Sequence, residues 1–370
     1  MQWSEGGLTF TVPENMEQAV FFNPTMELNR DLTVAVLNAV RETWIDDRVP
    51  SYLDAMAAAG IRGIRAAEQG YEVTMTDINQ PAVELSQKNA DSNDINCAIE
   101  QADVRRHLYA HHYDVVDLDP FGSPIPYLDP AMSGTAQLLC VTATDTAPLC
   151  GAHFRAGVRR YSAVPANTEY HAEVGLRILL SAIARTAARY DIGIAPVLSH
   201  VTRHYVRTYL RLHRRASDAD DAVDRLGYLV HCDACLHRAT VEGLAPALPA
   251  TCRECGESLR RIGPLWLDTY VDQGFVAEVA THLDDSMGER KTIERLLDRL
   301  SHELDIVGHH DHHVICDQLD LPAGPMDDVL KEISDRGFRA SRTHFGGTTF
   351  KTDAPIDTVR RVVQATADSA

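Results

Sequence analysis

Lysine is nearly missing from this chain: four occur in 370 residues, at Lys88, Lys291, Lys331 and Lys351. Basic character therefore comes from arginine, whose planar guanidinium pairs with carboxylates and phosphates through two parallel hydrogen bonds. Acids dominate, with 53 Asp and Glu against 35 Lys and Arg for a net charge of −18. An acid-rich, lysine-poor surface suits the salt-filled cytoplasm of a halophile, where self-repulsion is screened over about 3 Å at 1 M salt. It excludes a general basic coat for nucleic acid, so such a partner must be sought in local arginines. No run of eighteen apolar residues occurs, and the start Met1–Gly6 has neither a basic nor an apolar signal segment, so the expected location is cytoplasmic with no membrane span. No protein partner is evident from the sequence. Cysteine is also sparse. Eight are too few for a disulfide framework, and four of them fall in paired CxxC units, which indicates a reducing interior. The glycine pattern GxGxxG is absent, and with it a set of amides prepared for a pyrophosphate.

What is present is an alternation of short strands and helices. Residues 7–12 read as part of a hairpin. Glu27–Leu37 follows as a helix with Arg30 in its first turn, where a cation is unfavourable unless an anion lies beside it. Tyr52–Met56 reads as a strand, Ala57–Gly63 as a small-residue turn, and Ile64–Gln69 as a helix. A second strand, Glu72–Thr76, ends on Asp77 and leads to a helix from Pro81. An acid in that place can hold a ribose diol, and small residues let a cofactor approach the backbone. Both features would serve a nicotinamide cofactor or S-adenosylmethionine, and the missing glycines favour the second. Ala98–Glu100 leads to Asp103, which could accept an adenine amino group. Tyr113–Leu118 is a buried strand and Gln137–Thr144 a fifth, ending at Asp145. Five such alternations imply a doubly wound, mainly parallel α/β sheet.

The chemistry is expected in Asp119-Pro120-Phe121-Gly122, at the carboxyl end of the fourth strand. The exocyclic amine of a nucleobase is a poor nucleophile because its lone pair is conjugated into the ring. A fixed carboxylate such as Asp119 can accept its N–H bonds and stabilise the charge that develops during attack. Phe121 can stack on the base. Val201–Leu212 reads as one strand with Arg203, Tyr205, Arg207, Tyr209 and Arg211 on a single face, which offers phosphate pairing and base stacking together. Ala216–Asp221 reads as a linker. Cys232, Cys235, Cys252 and Cys255 form C-x2-C-x16-C-x2-C, a two-knuckle pattern for structural zinc with Gly256 supplying a positive φ. The other four cysteines read as packing residues. Beyond them comes an amphipathic helix Glu289–Glu303, and then Val314–Leu319, a turn with Pro322, Gly324 and Pro325, a second helix Met326–Asp335 and two short strands around Phe345–Gly347 resemble a winged helix. The run His309–His313 reads as a solvated helix start more readily than as a metal site.

With Phe21–Asp31, Gly60–Arg65, Asp117–Pro124, Val141–His153 and Arg342–Phe345 in place, the chain resembles the archaeal form of the tRNA (guanine-26-N2)-dimethyltransferase family. The resemblance implies transfer of one or two methyl groups from S-adenosylmethionine to N2 of a tRNA guanine. It places Arg30, Arg62, Asp77, Asp103 and Val104 around the cofactor, makes Asp119 the catalytic acid group, and sets Phe21 and Phe121 on either side of the guanine. The expected architecture is a Rossmann-like methyltransferase domain over 1–220, a zinc module over 221–265 and an α+β, winged-helix-like tRNA-binding domain over 266–370. Amino-methylation of rRNA guanine or DNA adenine, and a non-catalytic nucleic-acid-binding protein on the same fold, are the competing readings. A nicotinamide oxidoreductase is a more distant one.

Overall fold

Gly6 and Gly7, with φ of +60° and +79°, close a two-residue loop between β1 (Gln2–Glu5) and β2 (Leu8–Thr11). Positive φ at both positions matches the loop to the twist of its strands. The computed structural model describes residues 1–14, 20–45 and 48–367. After the hairpin comes α1 (Glu27–Thr43), and then a seven-stranded sheet begins.

Its strands are β3 (Ser51–Asp54), β4 (Glu72–Asp77), β5 (Ala98–Gln101), β6 (Tyr113–Leu118), β7 (Thr135–Ala143), β8 (Gly193–Thr202) and β9 (Tyr205–His213). They lie in the order β5-β4-β3-β6-β7-β9-β8. Pairing is parallel from β5 across to β7, while β9 runs antiparallel to both its neighbours. The chain winds outward from β3 in both directions, so the switch point of the sheet lies between β3 and β6. Ligands of open α/β sheets bind outside the carboxyl ends of the strands at such a point. Every residue of β6 is buried, as expected of a central strand covered on both faces. Helix α2 (Ile61–Glu68) and α1 pack on one side, and the eighteen-residue helix His171–Ala188 packs on the other.

Two expectations fail on the far side of the sheet. The stretch Val201–Leu212 is not one strand but the two arms of the β8–β9 hairpin, broken where Arg203 adopts φ +55°. The expected linker Ala216–Asp221 lies in the helix Ala216–Asp224, with Ala219 and Ala222 buried. Alanines four positions from an apolar neighbour gave it a buried side, which its many aspartates disguised in the sequence.

A three-stranded antiparallel sheet follows, from β10 (Leu226–His231), β11 (Arg238–Glu242) and β12 (Arg260–Trp266), in the order β11-β10-β12. Leu226, Leu229, Ile262, Leu265 and Trp266 join the same apolar core as helix His171–Ala188, so this unit rests firmly on the large sheet. The last region contains helices Arg290–His302, His312–Leu319, Met326–Asp335 and Ile356–Ala367. Among them lie β13 (His310–Asp311), β14 (Ala340–Arg342) and β15 (Thr349–Thr352), antiparallel in the order β13-β15-β14. No helix among the described residues is long and apolar enough to cross a membrane. His312 does begin a helix, but of this run His313 alone is exposed: His309, His310 and His312 are buried. Burial lowers the pKa of each, and Glu173 Oε2 accepts from His309 Nδ1 at 3.1 Å.

Candidate active site

Five aspartates stand at or just beyond the carboxyl ends of the five parallel strands: Asp54, Asp77, Asp103, Asp119 and Asp145. Each turns into a following helix, whose N-terminal amides and dipole favour a carboxylate. Asp103 shows this directly, capping helix Val104–Ala110 by accepting from Arg105 N at 3.0 Å. Val104 is buried beneath it. Asp77 accepts from Ala58 N at 3.0 Å and Asn79 N at 2.9 Å, which ties the small-residue turn to the end of β4. Gly60, at φ +77°, lets that turn enter α2. Asp54 Oδ2 accepts from Gly63 N at 2.9 Å, so an amide in the first turn of α2 already has a buried carboxyl partner. The start of α2 is thus unsuited to a pyrophosphate, while the half-buried carboxylates of Asp77 and Asp103 at adjacent strand ends suit a ribose and an adenine. That donor set fits S-adenosylmethionine. Burial pushes the Asp54 carboxyl up to about 7 against the opposing pull of Arg62.

Asp119 follows β6. Arg62 Nη2 hydrogen-bonds its Oδ2, and Oδ1 has no protein partner among the described residues. One carboxylate oxygen is therefore oriented and the other is free to accept. The loop beyond it is held by Gly122 N donating to Thr144 Oγ1 at 2.7 Å and by Thr144 N donating to Gly122 O at 3.0 Å. Phe121 is 90% exposed, and Phe21 is 45% exposed. Their ring centroids are 5.8 Å apart at 68°, an edge-to-face contact. A guanine between them requires the rings to part and turn parallel, a small change for two side chains that water already surrounds.

Beneath Asp119 lies a dry polar cluster that the sequence reading assigned elsewhere. Arg207 is fully buried, with Nη1 and Nη2 donating to Asp117 Oδ1 and Oδ2 at 2.8 and 2.6 Å. Its guanidinium also donates to Thr142 Oγ1 and Thr33 Oγ1, each at 3.0 Å, and lies over the ring of Tyr209. Arg62 Nη1 donates to Asn29 Oδ1 and Thr33 Oγ1, both at 2.9 Å. Tyr52 donates to Asp117 Oδ2 at 3.1 Å. Burial alone would raise the Asp117 pKa, but Arg207 and Arg62 outweigh it and hold it below the ordinary range.

Tyr205, Arg207 and Tyr209 therefore cannot meet RNA: they are inside. The physical reason is what covers the sheet: α1 lies over the face of β9 that carries these residues, where Thr33 bonds both Arg207 and Tyr209, and the alternation marks that face rather than solvent. Arg211 does reach the surface, against Trp44, with its guanidinium 4.6 Å from the ring centroid. Arg203 sits at the hairpin tip, bonded to Thr25 O and to Glu289 Oε1.

Arg30 receives the anion that its helix position calls for, from Glu5: Nε and Nη2 donate to the carboxylate at 2.7 and 2.6 Å. Arg65 Nη1 joins the same carboxylate at 2.7 Å and Nη2 pairs with Asp31 at 2.7 Å. Burial pushes the Glu5 carboxyl up, yet the two arginines hold it down at about 2. The N-terminal hairpin is thus locked over α1 and α2, close to the segment that carries Phe21. Sequence reasoning missed Glu5, Asn29, Thr33 and Thr142, because each acts through a partner more than twenty residues away.

Cys232, Cys235, Cys252 and Cys255 bring four Sγ atoms within 4.8 Å of one another. The separations Cys232 to Cys255 and Cys235 to Cys252 are 3.5 and 3.6 Å. A tetrahedron of about 2.3 Å Zn–S bonds has edges of roughly 3.8 Å. Two equivalent turns make it: Leu236 N donates to Cys232 O and Gly256 N to Cys252 O, each at 2.9 Å, with φ of +58° and +80°. The donor set fits structural zinc, and four thiolates leave no open coordination position.

Comparisons with known proteins agree with this geometry. The family model described as TRM, N2,N2-dimethylguanosine tRNA methyltransferase, matches residues 5–364. Proteins of Haloarcula marismortui and Halobacterium salinarum named tRNA (guanine(26)-N(2))-dimethyltransferase are 49% and 51% identical. The first alignment covers all of both chains, and the second covers 98% of this chain and all of the other. Trm1 from Pyrococcus horikoshii, solved in complex with S-adenosyl-L-methionine, superposes with a TM-score of 0.88 at 34% identity, covering 98% of this chain and 99% of that one.

Proposed function

This chain belongs to the N2,N2-dimethylguanosine tRNA methyltransferase family, and from that premise we infer how its residues divide the work. It is an S-adenosylmethionine-dependent enzyme that methylates N2 of guanine-26 in tRNA, the activity that names its relatives. When bound, S-adenosylmethionine supplies an electrophilic methyl group on a sulfonium.

Asp119 is the residue that acts on the guanine. Its free Oδ1 accepts an N–H of the exocyclic amine, turns the nitrogen lone pair toward the methyl, and relays the proton released once the C–N bond forms. Arg62 fixes the other oxygen and so sets the direction of the first. Phe21 and Phe121 clamp the base by stacking. Asp77 holds the ribose hydroxyls, Asp103 the adenine amine, and Val104 packs on the adenine face. Arg30 and Arg62 form the arginine side of the cofactor site, Arg30 by bracing the segment before α1. The observation that carries this reading is Asp119, half bound and half open, below two exposed phenylalanines in contact.

We assign 1–220 to catalysis, 221–265 to the zinc module and 266–370 to tRNA binding. The order helix, β13, helix, helix, β14, β15 in the last region supports a winged helix. Arg203 and Arg211 remain the members of the hairpin able to touch RNA. A cytoplasmic location follows from the substrate.

Transfer of labelled methyl from S-adenosylmethionine to unmodified tRNA transcripts at molar salt tests the reading, with the product nucleoside identified by mass. N2-methylated guanosine that disappears when guanine-26 is replaced is the expected result. Label in adenosine, or in DNA or rRNA in preference to tRNA, would overturn it.

A further inference from the structure

An enzyme that draws a guanine down to Asp119 must also accommodate the ribose-phosphate chain on either side of it, and the face expected to do so proved to be buried. We propose that the outward side of the short helix Phe154–Tyr161 contacts the tRNA backbone beside the target guanine. The proposal rests on the tRNA-methylating activity above and identifies a surface that serves it.

The helix is fixed to the catalytic loop through its inner side. Gly157 seats it against Pro148 and Pro165 so closely that a Cβ there would lie 2.4 Å from Pro148 O. Tyr161 is buried; its hydroxyl donates to Asp145 and accepts from Ser123 Oγ at 3.0 Å, and Ser123 follows Phe121 by two residues. Arg160 Nη1 donates to Asp145 Oδ2 at 3.0 Å. The loop carrying Phe121 and this helix are therefore joined by one side-chain chain.

The outer side is built differently. Arg155 and Arg159 are exposed at i, i+4 spacing and have no ion pair or hydrogen bond among the described residues. Arg261 and Arg299 also lack an acid among the described residues, so what distinguishes this pair is its helix, which is tied to the loop carrying Phe121. Phe154 and Val158, also four apart, are 50% and 38% exposed beside them. Two unpaired guanidiniums suit two phosphates, and an apolar strip beside them suits sugar and base faces. The combination also suits high salt. With a Debye length of about 3 Å at 1 M, distant attraction is lost, and contact pairs with apolar neighbours are what remain. An acidic protein segment would satisfy the arginines, but it has no need to lie next to the loop that receives the base.

The test uses the full-length, zinc-loaded enzyme with both arginines replaced, Arg155→Gln and Arg159→Gln. Both side chains are exposed, so melting temperature and S-adenosylmethionine affinity should match wild type. The KM for unmodified tRNA should rise by at least about tenfold per arginine with kcat nearly constant. The slope of log affinity against log salt should become shallower by about 2. Arg155→Lys with Arg159→Lys should recover part of the loss. Unchanged KM and salt slope, or a fall in kcat alone, would overturn the assignment. Filter binding of tRNA, which needs no turnover, judges the surface independently: wild-type enzyme that binds tRNA without methylating it overturns the activity, while the double variant's binding still decides the surface.

Discussion

Asp119 and Arg207 both border the same guanidinium-rich cluster, yet their substitution should have opposite signatures. Asp119 is partly open and bound on one oxygen, so Asp119→Asn should lower kcat by about 10²–10⁴ with tRNA binding and melting temperature little changed. Equal losses in kcat and affinity would point to a structural role. Arg207 is fully buried against Asp117. Arg207→Gln strands a buried carboxylate and should cost about 3–5 kcal/mol in denaturant unfolding; a wild-type unfolding curve would show that Arg62 alone neutralises Asp117. Asp54 adds a pH dependence. Its carboxyl is raised by burial from 3.8 to about 7, so the folded protein binds one more proton than the unfolded chain between those values. Stability contributed by the neutral acid is present below 3.8 and is lost as pH rises toward about 7. Asp54→Asn, which still accepts from Gly63 N, should flatten that part of the melting temperature against pH profile. A variant profile that retains the fall would assign it to another group.

At the scale of elements, how well the sequence could be read depended on whether a segment's partners were near or far in the chain. The β3-α2-β4 alternation, the Asp-Pro-Phe-Gly loop and the two cysteine knuckles are legible because their turns and periodicity are local. The β8–β9 hairpin was misread because arginine alternating with tyrosine has the same period whether it faces water or a helix. Only the packing of α1 over that face of β9 decides which. The zinc knuckles carry their own prediction. Each closes through two backbone bonds, Leu236 N to Cys232 O with Cys232 N to His237 O, or Gly256 N to Cys252 O with Cys252 N to Glu257 O, and the exposed chain between β11 and β12 has little other apolar support. Purified protein should contain one zinc per chain, and Cys252→Ser should abolish it while the seven-stranded sheet still folds. A full zinc equivalent in that variant would remove the four-thiolate assignment.

For the whole molecule the dominant force beyond the core is charge. A net charge of −18 favours the unfolded chain at low ionic strength, when self-repulsion reaches across the protein. Melting temperature should therefore climb steeply with KCl from about 0.1 M to the molar range as the Debye length falls from about 10 to 3 Å. A flat profile would mean that the acids are already neutralised within the fold. The same charge makes the tRNA surface a matter of local exceptions, and the exceptions became visible only once the paired arginines were known. Composition, periodicity and motif spacing by themselves determined the doubly wound sheet, the acids at its strand ends, the clustering of four cysteines and the Asp-Pro-Phe-Gly loop after the central strand, because each depends on residues within a few turns of one another. Tertiary structure alone decided that Arg207 neutralises Asp117, that Glu5 answers Arg30, that His309 lies inside, and which arginines reach the surface without an acid. Those outcomes depend on long-range pairing, where a charge is stable only if an opposite charge from a distant segment arrives to meet it.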